Sequence, residues 1–185
     1  MAVRKIIRMG HPLLRKKARP LTDAEIKHPE TRRLVKDMVD TLEDYGGIGL
    51  AAPQIGESIR LAIVQMTGGP SRYGDIPALP LTVFVNPTIT VLDPASAGYW
   101  EGCLSVPGLR GYVERAQHVR VDYLDLDRNR KTLELKGFPA TVFQHEFDHL
   151  DGKLYIDRIN DLSRLVFEEE YLRYAQSAEE GEPEL

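Results

Sequence analysis

Leu34, Val35, Met38, Val39 and Leu42 recur at intervals of three and four with charged residues between them, the pattern of an amphipathic helix. Pro29 suits its first turn, and Gly46-Gly47 supplies its stop. Just upstream, Thr22-Asp23-Ala24-Glu25 has the form of a capping box, so a shorter helix opens there and Pro29 kinks or restarts it. The period then changes. Short apolar runs at Leu61–Val64, Val83–Val85, Ile89–Leu92, Val119–Leu126 and Leu133–Leu135 predict strands. Asp127-Arg128-Asn129-Arg130 predicts the turn of a hairpin joining the last two. Residues 66–80, rich in Gly and Pro, predict a loop. Helical spacing returns after Pro139, where Ala140, Phe143, Phe147 and Leu150 form one apolar stripe that stops by Gly152. Leu162, Leu165, Val166, Leu172 and Ala175 outline a closing amphipathic helix, followed by a frayed acidic end. The predicted class is α+β: antiparallel strands packed around a central helix, with an N-terminal and a C-terminal helix.

Composition narrows the function classes. A chain of 185 residues forms one domain with a single core, and 42% hydrophobic residues argue against wholesale disorder. The net charge of -4 argues against a dedicated DNA binder. The charge is uneven: residues 1–20 carry seven basic groups and no acidic one, and residues 168–185 carry seven glutamates and one arginine. A solvated face explains the basic stretch most simply, with a transit peptide or an RNA-facing patch as the alternatives. Neither a secretory signal nor a membrane-spanning run is visible, and a single cysteine, Cys103, precludes an internal disulfide and fits a reducing cytoplasm. The lone thiol therefore needs another purpose.

The candidate chemistry lies on the predicted central helix. His145, Glu146 and His149 form His-Glu-x-x-His, a pattern expected about 0.01 times by chance in such a chain. On a helix the two histidines share the face opposite the apolar stripe and can grip one metal ion, and Glu146 stands where a base is needed. A catalytic site of this kind takes three protein ligands. Three sources compete for the third. A histidine at the metzincin spacing fails, because position 155 is Tyr155. A downstream glutamate, Glu168, Glu169 or Glu170, would make a zinc endopeptidase. Cys103 is the third candidate, since thiolate and imidazole together suit zinc, iron or cobalt. Asp125-x-Asp127-x-Asn129 mimics the start of a calcium loop, but Arg130 replaces the required glycine and Lys136 the closing glutamate.

Three motifs taken together carry a family resemblance: "GIGLAAPQ" (Gly47 to Gln54), "EGCLS" (Glu101 to Ser105) and "QHEFDH" (Gln144 to His149). In this order they resemble the peptide deformylases, which remove the formyl group from the N-terminal methionine of nascent proteins. The likeness extends over the flanks to about residue 165, so residues 1–165 are expected to form the deformylase domain and 166–185 the end of a helix and an acidic tail. The resemblance implies one divalent ion on Cys103, His145 and His149, usually Fe2+, with Zn2+, Ni2+ or Co2+ possible. It implies Glu146 as general base, with the Gln54 side chain and the Leu104 backbone N–H as oxyanion donors. It further implies that an extended formyl-methionyl peptide pairs with backbone near Ile48, Gly49 and Gly102. The methionine side chain would enter a pocket of Ile48, Glu101 stem atoms, Phe138, Val142 and His145, with Arg110 flanking the downstream peptide. The expected partners are N-formylmethionyl nascent peptides and, transiently, the ribosome.

Overall fold

The computed structural model describes residues 2–71 and 74–175. Two helices come first, α1 (Asp23–Lys27) and α2 (Pro29–Tyr45). The capping box of α1 is present in full: Thr22 accepts from the Glu25 N–H, and the Glu25 side chain accepts from the Thr22 N–H. Pro29 does not kink α1 but opens α2, with the His28 side chain accepting from the Glu30 N–H, and Gly46 ends α2 in the left-handed conformation. Seven strands follow before the next helix: β1 (Gly49–Ala51), β2 (Leu61–Met66), β3 (Gly69–Ser71), β4 (Gly74–Ile76), β5 (Leu79–Cys103), β6 (Val106–Leu124) and β7 (Arg130–Lys136). The helix α3 (Phe138–Leu150), the strand β8 (Leu165–Phe167) and the helical turn α4 (Glu168–Glu170) close the described chain.

The main sheet has the order β1-β2-β5-β6-β7, and β8 adds to β6; every ladder between these strands is antiparallel. Its interior strand β2 carries the run of unbroken apolar residues at Leu61–Val64, all of them buried because both faces of the sheet are covered there. Ala62, Val64 and Met66 meet Phe143, Phe147 and Leu150 of α3, with Phe84 of β5 edge-on to Phe143 at 5.0 Å between ring centres. Leu61 and Ile63 point to the other face, where Val35, Met38 and Leu42 of α2 pack. Strand alternation thus divides the core between the two helices.

Three expectations need correction. The runs at Val83–Val85 and Ile89–Leu92 belong to one long strand, β5, whose register shifts near Pro87 and Pro94 absorb the prolines that broke the pattern. Residues 66–80 are not plain loop, since β3 and β4 form a small separate hairpin. The closing amphipathic helix does not begin at Leu162. Residues Leu162–Arg164 make a 3-10 turn, and Leu165–Phe167 pair as β8 with Leu109–Gly111. Helical geometry starts only at Glu168. The reason is an open edge of β6, whose unpaired backbone groups are satisfied by a strand and not by a helix. Leu162, Phe167 and Leu172 all stay exposed, so the apolar stripe is never buried as one face. The acidic end lies outside the described residues. The hairpin turn between β6 and β7 does form, and Asp125 accepts from the N–H groups of Asp127 and Asn129. The carboxylate that imitates a calcium ligand is a turn residue.

Candidate active site

The β5–β6 turn and α3 bring three remote donors together. Cys103 ends β5, and His145 and His149 lie one turn apart on α3. Their ligating atoms all fall within 4.8 Å of one another, and Cys103 Sγ is 3.3 Å from His149 Nε2. Atoms bonded tetrahedrally to one ion stand about 3.5 Å apart, so one thiolate and two imidazoles fit a divalent transition metal. The donors are prepared for that role. Burial pushes the Cys103 thiol up, but the imidazoles of His149 and His145 outweigh it and hold the thiol well below its ordinary range. His145 Nδ1 is bound to Glu101 Oε2 at 2.7 Å, which leaves Nε2 for an ion.

A charged network stands behind these ligands. Arg115 donates to both oxygens of Glu101, at 2.6 and 2.9 Å, and to Asp148 at 2.8 Å. Arg158 closes the chain on Asp148 at 2.6 and 3.1 Å. Arg115, Glu101 and Asp148 are all buried, so each charge depends on its partners. The network grips α3 beside His149 and orients His145 through Glu101 on the neighbouring strand.

Glu146 and Gln54 flank the donor cluster. The glutamate is buried, and burial raises its carboxyl above the usual range against the pull of His145 and His149. Its Oε2 has no hydrogen-bond partner among the described residues. The backbone of β1 runs against it: a Cβ at Gly49 would lie 2.6 Å from the Glu146 carboxyl carbon. Only glycine allows that approach. Gln54 sits in a 3-10 turn (Ala52–Ile55), where its Oε1 accepts from the Ala51 N–H at 2.8 Å. That bond assigns the amide, leaving Nε2 to reach Ser105 Oγ at 3.3 Å and Cys103 Sγ at 3.6 Å.

A cleft of about 1240 Å³ opens over this cluster. Ile48, Gly49, Gln54, Glu101, Gly102, Cys103, Leu104, Arg110, Phe138, Val142, His145 and Glu146 line it, whereas His149 lies buried beneath. The Glu101 carboxylate is taken up by His145 and Arg115, and Leu104 lies in the turn next to Cys103. Among the downstream glutamates, Glu168 also reaches the cleft, but Arg110 holds it through Nε at 2.9 Å and through Nη2. The ligand set of an endopeptidase with a glutamate is thus not assembled. Arg115 and Arg158 carried no local signal in the sequence, Ser105 entered only as the end of "EGCLS", and Glu168 entered only as a candidate metal ligand. Asp148 lies inside "QHEFDH", next to His149, but nothing in the motif assigned it a role.

Comparison with known proteins agrees with this geometry. The family model described as polypeptide deformylase matches residues 3–165. A peptide deformylase of Leptospira biflexa is 41% identical over 170 residues, covering 92% of this chain and 95% of that protein. Peptide deformylase 1 of Bordetella pertussis is 44% identical over 164 residues, covering 89% and 92%. A class I type b peptide deformylase from Acinetobacter baumannii, in a crystal structure with Met-Ala-Ser bound, superposes with a TM-score of 0.79 at 38% identity, covering 85% of this chain and 99% of that one. Matched along nearly its whole described length in sequence and in fold, the chain belongs to the polypeptide deformylase family.

Proposed function

We propose that the chain hydrolyses the formyl amide of N-formylmethionyl peptides, releasing formate and a free α-amine, and that the residues around Cys103 carry the reaction. The observation that supports this most directly is the convergence of Cys103, His145 and His149 beneath a cleft flanked by Glu146 and Gln54. Cys103, His145 and His149 would hold a divalent ion, which we take to be Fe2+ with Zn2+, Ni2+ or Co2+ as substitutes, and which would supply Lewis-acid activation of water and of the formyl carbonyl. Glu146 takes the proton of the attacking water on its carboxylate and returns it to the departing nitrogen. The carbonyl oxygen gains negative charge as the C–O bond forms, and Gln54 Nε2 and the Leu104 N–H donate to it until the C–N bond breaks.

The peptide lies extended along the backbone of Ile48, Gly49 and Gly102, an added strand at the cleft floor. Its methionine side chain packs among Ile48, Phe138, Val142, His145 and the stem of Glu101, and Arg110 flanks the residues downstream. Nascent chains in the cytoplasm are the source of such substrates, with transient ribosome association. The test compares formate release from formyl-Met-Ala-Ser with turnover of acetyl-Met-Ala-Ser by anaerobically purified, metal-analysed protein. The extra methyl displaces the carbonyl, and about 1 Å of misplacement costs roughly 10²-fold. Cleavage of internal peptide bonds without formate release would overturn the reading.

A further inference from the structure

Arg110 and Glu168 face each other across the wall of the catalytic cleft. The guanidinium of Arg110 lies directly over Gly102, in the space that a Cβ at that position would fill. Glu168 Oε1 accepts from both Nε and Nη2 of Arg110, in a pair that is about one-third exposed on each side. The glutamate is held there from both ends. Before it, β8 is paired to β6 with Val166 opposite Arg110, and the Arg164 guanidinium lies 3.1 Å from the centre of the Tyr112 ring. After it, Tyr171 is buried, its ring 5.0 Å from that of Trp100. A strap of the C-terminal segment therefore carries a carboxylate into the cleft and fixes it on the cation nearest the Gly102 backbone.

We infer that Glu168 is a specificity-determining residue: by occupying Arg110 it acts as a charge filter that disfavours acidic and favours basic side chains just downstream of the formyl-methionine. The inference rests on the peptide path along Gly102 proposed above. An acidic side chain passing Gly102 must displace Glu168 from Arg110, which leaves that carboxylate unpaired beside it, or lie against a cation already neutralised. A basic one meets that carboxylate directly. Discrimination by like charge of this kind is a common route to selectivity.

The test measures kcat/KM for formyl-Met tripeptides carrying Asp, Asn or Lys at the first or second position after methionine, with the wild-type protein and E168Q. The Asp-to-Asn ratio should rise about fivefold in E168Q and the Lys-to-Asn ratio should fall about fivefold, the scale of a partly exposed ion pair. Both changes should shrink in about 0.5 M salt. A loosened strap would move all peptides in one direction, so opposite movement of the two ratios separates a charge filter from a structural role. The same ratios are read without chemistry from the dissociation constants of the deformylated tripeptides, followed by the fluorescence of Trp100, the single tryptophan, which lines the cleft. Ratios that stay level, or move together, would overturn the inference. Absence of formate release by the wild-type protein would instead end the hydrolase reading, with the binding ratios still deciding the part played by Glu168.

Discussion

The helices α2 and α3 pack on opposite faces of the same sheet and have little else in common. Five of the 17 residues of α2 are buried, all of them apolar or threonine, and none of its charged residues is fully buried, although Asp37 and Asp40 are half-buried. Ten of the 13 residues of α3 are buried, including Glu146, Asp148 and His149. For α2 the hydrophobic stripe accounts for the packing, and its ion pair of Arg32 with Asp127 is exposed on both sides. For α3 the stripe of Ala140, Phe143, Phe147 and Leu150 accounts for one face only. The other face carries charge into the interior and is tolerated because Glu101, Arg115, Arg158 and Cys103 answer it from elsewhere in the chain. A helix built for stability hides its apolar residues, whereas one built for chemistry must also have its polar ones compensated.

The largest expected effect breaks the polar face at its centre. Cys103→Ala removes one of three donors, so metal content measured after dialysis should fall to a small fraction of one ion per chain and formate release with it. Retention of stoichiometric metal would show that Cys103 is not a ligand. Glu146→Ala should leave metal content near one ion while turnover drops by about 10²–10⁴; a parallel loss of metal would make Glu146 structural. Next comes Gln54→Ala, for which kcat should decrease roughly 10²–10³-fold with a smaller change in KM. An unaltered kcat would confine Gln54 to shaping the turn that ends at Ile55.

The contrast between the helices is sharpened by two arginines. Arg115→Met strands the buried carboxylates of Glu101 and Asp148, so unfolding should become easier by about 3–5 kcal/mol, a fall of about 10 °C in Tm. Metal affinity should weaken by about 10-fold or more through the loosened His145. Arg32→Ala on α2 should cost under about 1 kcal/mol and leave metal binding alone. Equal thermal shifts in the two variants would remove the distinction drawn between the two faces.

Local spacing carried much of this molecule into view. The capping box at Thr22, the stripe of α2, the turn at Asp125 and the helical pair His145 and His149 all depend on residues within a few positions of one another, where backbone geometry dictates what meets. The α+β class follows from the same periodicities. Cys103 stands 42 positions before His145, and no spacing rule selects it over Glu168; as a lone thiol it was a candidate ligand, the likeness of three motifs to a family singled it out, and the fold sets its sulfur beside His149. The segment after Leu162 shows the opposite outcome. Its apolar residues recur at helical intervals, yet a free edge of β6 draws Leu165–Phe167 into a strand and so carries Glu168 to Arg110. By itself the sequence determined the helices, the hairpin turn and the residue types of a metal site. The buried network around Arg115, the approach of Gly49 to Glu146 and the course of the C-terminal strap were decided only by tertiary structure, because each depends on groups brought together across the sheet, whose mutual compensation has no signature in neighbouring residues.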